Sequence, residues 1–315
     1  MTFGVIADGW QDYRRYALRQ WAYWGARYGP RFWLEHSPGL FGLAFAAALP
    51  RMRANVRDNL RRIQGRRSRW IETANVAKTF VQYAHCLAEA LALERSDARR
   101  ARCEANDPER LAALLREPGG AVIATAHSGS WDVAAAQLFR LSGRELTLVM
   151  EPEANRRSRT LQDALRRRQG LHIVHAGSDA LCGIELLRRL RTGAVVAIQI
   201  DRTGPDSRTV TTSLFGQAFS MPLGPFLLAA MAEVPLVPIF AARRGYFDYE
   251  VFIGAAQRLP KKPAMPAIEQ AGQRVADDLQ SFLHDHPTSW FHFVTPATKG
   301  SDSLGGCPLA RQGHA

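Results

Sequence analysis

From about residue 107 onward, short apolar segments alternate with amphipathic ones, and this alternation restricts the fold more than any other feature of the chain. The short apolar runs predict strands. They lie at residues 121–126, 145–150, 172–175, 194–200 and 235–242. Segments with helical spacing are found at residues 131–142, 157–169, 179–192, 223–233 and 264–285. Such alternation predicts an α/β fold with a central mixed, largely parallel sheet flanked by helices.

The first 70 residues are basic and aromatic. They hold thirteen arginines against four acidic residues, with Trp and Tyr rings interspersed. Within them, residues 37–49 are apolar and uncharged, but a membrane-spanning helix needs about twenty residues. Rings mixed with long basic side chains are typical of the lipid headgroup layer. We therefore expect an N-terminal helical membrane-associating segment, and a helical hairpin packed on the protein's own core is the alternative.

Three regions are expected along the chain. Residues 1–70 form the basic, membrane-interfacial segment, and residues 71–297 form the α/β domain, which opens with helices at 72–95 and 107–117. Residues 298–315, rich in Gly and Ser, are expected to be disordered. The N terminus lacks the basic and apolar pattern of a secretory signal.

Charge and cysteine content narrow the class of protein. The formal net charge of +12 favours anionic partners, yet no zinc finger, glycine-rich clamp or RNA-binding aromatic motif is present, so we expect no nucleic-acid partner. The four cysteines lie far apart with no CxxC pair, which argues against a disulfide framework and in favour of a reducing compartment. We expect neither a metal site nor a cofactor.

The candidate catalytic pair is His127 with Asp132. The buried run 121–126 ends at His127, and Asp132 follows five positions later in the first turn of the next predicted helix. A histidine displayed at the carboxyl end of a strand can serve as a general base, and a carboxylate can stabilise its charged form. Ser128 and Ser130 lack the Gly-x-Ser-x-Gly pattern of a nucleophile and are expected to cap that helix instead.

Candidate substrate-binding residues follow two other elements. Asp201 and Arg202 come directly after the strand at 194–200, and Arg166 and Arg168 close the helix at 157–169. Asp201 can instead simply end its strand, and the arginines can simply favour the negative end of their helix. Because Arg166 and Arg168 are two positions apart, they are expected to face different sides of that helix.

Taken in their order along the chain, several segments resemble the lysophospholipid acyltransferase superfamily. The resemblance is to its lipid A secondary acyltransferases, the lauroyl and myristoyl transferases, and to phosphatidylinositol mannoside acyltransferases. It covers roughly residues 45–294. The matching segments are Arg53–Leu60, the His127/Asp132 (HX4D) motif, the helix ending at Arg166 to Gly170, the turn at Asp201, residues 215–225, the strand from Pro235 to the arginines at 243–244, and His286–Trp290.

The resemblance implies the chemistry and its partners. An acyl chain would pass from an acyl carrier protein or coenzyme A thioester to a hydroxyl of an anionic glycolipid or lipid A-type acceptor. His127 would act as the general base and Asp132 as its charge partner. Arg166 or Arg168 would bind the acceptor's phosphate or sugar, and Asp201 with Arg202 would belong to the site. Such enzymes act in lipid A and lipopolysaccharide biosynthesis, at the cytoplasmic face of the cell inner membrane, as peripheral or monotopic proteins.

Two alternatives remain open at this point. Lipid A acyltransferases place two acidic residues after the strand that Asp201 follows, whereas here Arg202 takes the second place. Another lipid, such as a phosphatidylinositol mannoside, is therefore an alternative acceptor. A non-catalytic membrane-binding or nucleic-acid-binding protein whose basic face is its function is the second alternative.

Overall fold

The structure is a computed structural model that describes residues 20–117, 119–151, 156–176, 181–204 and 207–294. The tail expected at 298–315 and most of the aromatic segment before residue 20 lie outside these ranges. Within them, helices cover a central sheet of seven strands.

The described residues begin with four consecutive helices. They are α1 (residues 20–28), α2 (Arg31–Ala48), α3 (Pro50–Gln64) and α4 (Arg69–Leu91). Helix α4 packs against both α2 and α3. Because α4 begins at Arg69, the boundary expected after residue 70 falls in its first turn.

The remaining elements alternate as the sequence predicts. The helices are α5 (Ser96–Arg99), α6 (Pro108–Arg116), α7 (Trp131–Ser142), α8 (Arg156–Arg168), α9 (Cys182–Arg191), α10 (Gly224–Ala232) and α11 (Met265–Asp285), with a 3₁₀ turn at Pro287–Ser289. The strands are β1 (Arg102–Ala105), β2 (Ala121–Thr125), β3 (Leu146–Met150), β4 (Leu171–His175), β5 (Val195–Gln199), β6 (Thr209–Leu214), β7 (Gln217–Pro222), β8 (Leu236–Gly245) and β9 (Asp248–Ile253).

The strand order of the main sheet is β1-β9-β8-β2-β5-β3-β4. Strands β8, β2, β5, β3 and β4 run parallel, whereas β9 is antiparallel to β8 and β1 is parallel to β9. The expected α/β fold with a mixed, largely parallel sheet is therefore confirmed. Every residue of β2 is buried, as expected of an apolar strand between two neighbours with helices on both faces.

The sequence analysis missed four of the described strands, β1, β6, β7 and β9. The edge strand β1 (Arg-Cys-Glu-Ala) is polar and half-exposed, so it has no apolar run. Strands β6 and β7 form a separate hairpin whose turn residues, Phe215 and Gly216, both have positive φ. Two positive φ values match the tight turn that suits a twisted hairpin. Neither a short polar edge strand nor a Phe-Gly turn gives a strong sequence signal.

Helix α2 buries mostly small residues and exposes most of its large ones. Its buried face consists of Leu34, Ser37, Pro38, Gly42 and Ala46. At Gly42 an added Cβ would lie 2.7 Å from the carbonyl oxygen of Phe80 on α4, so only glycine permits this close packing. The bulky side chains consequently face outward, and they include Phe32, Trp33, Leu40, Phe41, Leu43 and Phe45.

This outer face of α2 continues onto α1 through exposed Trp21, Trp24 and Tyr28. We call the exposed rings and aliphatic side chains of α1 and α2 the aromatic face. In the described ranges, no helix combines the length and the apolar content that crossing a membrane requires. One side of residues 37–49 packs on the protein, as the hairpin alternative expects, and the other side faces solvent; its association with a membrane stays a prediction.

Candidate active site

The carboxyl ends of β2 and β5 bring His127 next to Asp201. These strands are parallel neighbours, and their register pairs Thr125 with Gln199. His127 and Asp201 each follow two residues after that last pair, so they occupy matching positions on the same side of the sheet. The distance from His127 Nδ1 to Asp201 Oδ1 is 2.8 Å. The sheet register therefore builds a histidine–carboxylate pair from residues 74 positions apart in sequence.

The carboxylate of Asp201 is fully enclosed, with a side-chain exposure of 0%. Besides His127 Nδ1, it accepts hydrogen bonds from the backbone N–H of His127, at 3.1 Å, and from Trp290 Nε1, at 2.9 Å, both to Oδ2. Burial alone would raise the pKa of Asp201. The charge and hydrogen bonds supplied by His127, with His292 nearby, outweigh burial and hold the pKa of Asp201 well below its ordinary value.

This arrangement fixes the tautomer of neutral His127. An ionised carboxylate is only an acceptor, so Nδ1 must carry the proton and donate it to Asp201. The lone pair of neutral His127 is then on Nε2, which has no hydrogen-bond partner among the described residues. The imidazole is 26% exposed. The geometry thus presents a basic nitrogen to the outside, with a buried carboxylate placed to stabilise the imidazolium that forms when it takes a proton.

Asp132 does not occupy the position expected for it. Its carboxylate binds Arg166, with Nε at 2.6 Å from Oδ1 and Nη2 at 3.3 Å from Oδ2. The expectation that Asp132 orients the His127 imidazole is corrected here, because Asp201 holds Nδ1. Asp132 lies in the first turn of α7, and from there its side chain reaches Arg166 on α8 rather than the end of β5.

The two candidate arginines of α8 have different partners, as their spacing predicts. Arg166 reaches Asp132, and its side chain is 14% exposed. Arg168 is 61% exposed and contacts Glu94, beyond the end of α4. The structure therefore joins Arg166 to the loop–helix segment that carries His127, and it does not bring Arg168 there.

Arg202 holds the end of the α/β domain against the site. Its Nη2 donates to the carbonyl oxygen of Phe291 at 2.8 Å, while its buried Nε has no hydrogen-bond partner in the described part of the chain. The backbone N–H of Phe291 donates in turn to the carbonyl oxygen of His127 at 2.7 Å. Arg202 and Phe291 together tie the loop after β5 to the loop after β2.

Residues Trp290–Phe293, which we call the closing segment, contribute groups that the sequence analysis did not assign. Trp290 donates to Asp201, and His292 lies 3.7 Å from the same carboxylate. On α3, Asn59 Nδ2 donates to the His292 carbonyl oxygen at 2.7 Å, and Asn55 Nδ2 donates to that of Phe293 at 2.9 Å. The only sequence signal for Trp290, Asn55 and Asn59 was their position in two of the matching segments, and His292 lay in neither.

The serines beside His127 form hydrogen bonds to neighbouring elements of the fold. Ser128 Oγ accepts the backbone N–H of Ala241 on β8 at 3.3 Å, and Ser130 Oγ donates to the carbonyl oxygen of Cys86 on α4 at 3.3 Å. Their side chains therefore bind β8 and α4, and α7 is capped by the Ser130 carbonyl, which accepts the N–H groups of Val133 and Ala134. Across the described residues, no cluster of three His, Cys, Asp or Glu side chains has the geometry of a metal site.

Comparisons with known proteins identify relatives of the chain. The model of the bacterial lipid A biosynthesis acyltransferase family matches residues 12–295. The phosphatidylinositol mannoside acyltransferase of Mycolicibacterium smegmatis (strain ATCC 700084 / mc(2)155) is 28% identical over 254 residues, which cover 76% of this chain and 78% of the relative. That of Mycobacterium tuberculosis (strain ATCC 25618 / H37Rv) is 27% identical over 198 residues, 60% of this chain. The match spans only 57% of the length of the M. tuberculosis relative.

Proposed function

Because the chain belongs to the bacterial lipid A biosynthesis acyltransferase family, we propose that it transfers a fatty acyl chain from a thioester to a hydroxyl group of an anionic glycolipid. The observation that carries this proposal is the His127–Asp201 pair, which leaves the basic Nε2 of His127 directed away from the buried carboxylate. A deprotonating base beside a lipid hydroxyl is what an acyl transfer without a covalent enzyme intermediate needs.

In the proposed reaction, His127 Nε2 takes the proton of the acceptor hydroxyl as its oxygen attacks the thioester carbonyl carbon. The imidazolium is stabilised by Asp201, which remains ionised. When the tetrahedral intermediate collapses, the C–S bond breaks, and His127 Nε2 returns its proton to the leaving thiolate. An ester and a free thiol are formed, and the enzyme returns to its starting state. A base of this kind contributes about 10²–10⁴ to the rate.

The acceptor is proposed to be an anionic glycolipid, either of the lipid A type or a phosphatidylinositol mannoside. The family carries the first name, and the mycobacterial relatives carry the second. Arg166 lies beside the site but already binds Asp132, so an acceptor phosphate would have to share this guanidinium. The planar guanidinium offers five N–H donors, enough for a carboxylate and a phosphate together.

The donor is proposed to be an acyl thioester of acyl carrier protein or of coenzyme A. Both carry negative charge, from an acidic protein surface or from phosphates, and the chain has a formal charge of +12. Assays with each donor at matched acyl length will identify which one is used.

The protein is also proposed to bind the cytoplasmic face of the inner membrane through the aromatic face. Leu40 is 71% exposed and Trp21 is 78% exposed, an arrangement that is costly in water and favourable at the headgroup boundary. Arg27 stacks on Tyr23 and Tyr28 of α1 and pairs with Glu94. Arg31, at the start of α2, lies over Tyr246 and pairs with Glu35, so basic side chains and apolar surface occur side by side. An anionic lipid surface satisfies both.

Replacement of the base tests the proposed chemistry. The variant His127→Ala should retain its fold, because the ring is partly exposed, and should lose essentially all acyl transfer. The assay incubates purified enzyme with an acyl thioester and candidate glycolipids and detects the acylated lipid by mass spectrometry. His172→Ala is the control, since that ring lies on β4 and pairs with Glu185. More than a few per cent of residual activity in folded His127→Ala would remove the base role.

Membrane attachment is tested by changing the aromatic face. The double variant Leu40→Ser/Phe41→Ser should bind phosphatidylglycerol vesicles more weakly than wild type in co-sedimentation. Deletion of residues 1–50 should abolish binding. Met231→Ser is the matched control, because Met231 is similarly exposed but lies on α10. High salt should release the wild-type protein only in part, since apolar burial is not screened; complete release would point to a purely electrostatic contact.

A further inference from the structure

His292 is buried behind the active-site pair, and neither of its ring nitrogens has a hydrogen-bond partner within the described chain. Its side chain is only 3% exposed. A buried imidazole without partners costs free energy relative to an apolar ring of the same size. The position therefore calls for an explanation beyond packing.

The Nδ1 atom of His292 lies 3.7 Å from Asp201 Oδ2, just beyond hydrogen-bonding distance. The charged and titratable groups that act on His292 are Asp201, Arg202 and His127, and burial lowers the pKa of His292. A neutral imidazole keeps one N–H. Asp201 Oδ2, at 3.7 Å from Nδ1, is a charged acceptor close to that N–H.

Hydrogen bonds hold the backbone around His292, and the ring is close enough to Asp201 to reach it by rotation. Asn59 holds the His292 carbonyl oxygen and Asn55 holds that of Phe293. The His292 ring lies against Trp290, with ring centroids 4.9 Å apart and planes inclined by 32°. Trp290 itself already donates to Asp201 Oδ2. A small rotation of the His292 ring would therefore complete a second contact from the same segment to the same oxygen.

We propose that His292 is a positioning residue that acts on His127 through Asp201, by supplying a fourth N–H donor to the buried carboxylate during acyl transfer. The three donors already in place are His127 Nδ1, the His127 backbone N–H and Trp290 Nε1. This inference rests on the proposed function, because it assigns His292 a part in the cycle of the His127 base.

The physical effect of the fourth donor is to spread the negative charge of Asp201. Without it, the charge is concentrated opposite His127 and the imidazolium is held more tightly. With it, His127 both takes the proton from the acceptor and gives it up to the leaving thiolate. His292 thus supports both proton transfers of His127 without touching either substrate.

Two substitutions separate the N–H donor from the ring. His292→Phe keeps a ring against Trp290 but removes the donor, whereas His292→Asn keeps an N–H near the position of Nδ1 but removes the ring. We expect the acid limb of the kcat/KM profile to move to higher pH by about half a unit or more in His292→Phe, and to stay near the wild-type position in His292→Asn. A role in packing alone predicts that His292→Phe, which keeps the ring, is thermally more stable than His292→Asn. It also predicts that the acid limb moves in neither variant.

A spectroscopic measurement tests the same idea without any substrate. In protein with isotope-labelled histidine, the Nδ1 proton that His127 donates to Asp201 should resonate far downfield and move further downfield in His292→Phe, because the carboxylate becomes a stronger acceptor. The matched control is His85→Phe. His85 is also buried, with an unpartnered Nδ1 and a pKa lowered to about 4 by burial, but it lies on α4.

The outcomes are distinct. A downfield shift in His292→Phe alone supports the inference even if no tested lipid is acylated, so its failure and that of the proposed function can be told apart. An unchanged resonance in His292→Phe overturns it, as does an equal shift in His85→Phe. Should neither His292 variant fold, the wild-type protein decides: nitrogen chemical shifts that place the His292 proton on Nε2 overturn the proposal, and a proton on Nδ1 supports it.

Discussion

Two aspartates lie near His127, and the protein holds them in opposite ways. Asp201, at the carboxyl end of β5, has no exposed side-chain surface and accepts three N–H donors. Asp132, in the first turn of α7, is 20% exposed and is held by the guanidinium of Arg166. One carboxylate is enclosed and bound to the candidate base, and the other belongs to an ion pair that water reaches.

The difference shows that proximity in sequence did not choose the partner of His127. Asp132 is five residues away, but the helix that carries it directs it toward α8. Asp201 is 74 residues away, but the register of two parallel strands delivers it to the same side of the sheet. A strand pair fixes both the distance and the direction of the groups at its end, whereas a loop followed by a helix fixes only the distance along the chain.

The largest effect is expected from Asp201→Asn. The amide cannot compensate the imidazolium charge and favours the wrong tautomer of His127, so acyl transfer should fall by about 10²–10⁴. Steady-state kinetics of the purified variant measure this. Asp163→Asn is the matched control, since Asp163 also binds a histidine, His175, at 2.8 Å, but away from His127. Similar losses in Asp201→Asn and Asp163→Asn would contradict the special role of Asp201 as the partner of the base.

A smaller loss is expected from Asp132→Asn. The change weakens the hydrogen bonds to Arg166, and a hydrogen bond to a charged group is worth about 1.5–3 kcal/mol, which corresponds to roughly 10- to 100-fold if all of it is expressed in the rate. The loss should appear in kcat/KM for the acceptor. If Asp132→Asn proved more damaging than Asp201→Asn, Asp132 would regain the role of charge partner.

The arginines of α8 sharpen the comparison further. Arg166→Gln should reproduce the effect of Asp132→Asn, and the double variant should lose little more than either single one, because the two residues act as a pair. Arg168→Gln, which removes an exposed contact to Glu94, should change activity little. The measurement is the acceptor KM of all four variants. Equal, negligible effects of Arg166→Gln and Arg168→Gln would make both arginines ordinary surface residues of a helix end.

The smallest effect concerns stability against acid. Because the folded protein holds the pKa of Asp201 well below its ordinary value, its ionised form stabilises the fold above about pH 4, and this contribution is lost as the pH falls through that range toward the folded pKa. Asp201→Asn cannot ionise at this position, so it lacks this pH-dependent contribution to stability. The difference in unfolding free energy between wild type and this variant should therefore be greatest near neutral pH and shrink in acid, as followed by urea unfolding at several pH values. A constant difference would contradict the lowered pKa.

Much of the α/β domain was predictable from the apolar pattern. The runs that became β2 and β5 are continuous because both strands lie between neighbours, and the predicted bounds differ from the observed ones by at most one residue at either end. The strand order was not predictable. Without knowing that β2 and β5 are adjacent, nothing in the sequence distinguishes Asp201 as a partner of His127 from an acid that simply ends a strand.

The outer parts of the site were less predictable for a related reason. Trp290, His292 and Asn59 contribute through contacts between segments as much as 233 residues apart, and no local pattern marks such contacts. Only Trp290 and Asn59 stood in segments that matched a family. Helix α2 was predictable as apolar, but which side would be buried depended on Gly42 and its close contact with α4.

The closing segment also determines when the protein becomes competent during its synthesis. Asn59 on α3 and the loops that carry His127 and Asp201 leave the ribosome long before Trp290 and Phe291, and they stay unconnected until those residues arrive. Closing such long loops is slow, because the entropy of the intervening chain must be lost before the contacts form. The assembly of the site is therefore expected to be among the last events of folding, and a partly made chain would expose its acyl-transfer groups without the order needed to use them.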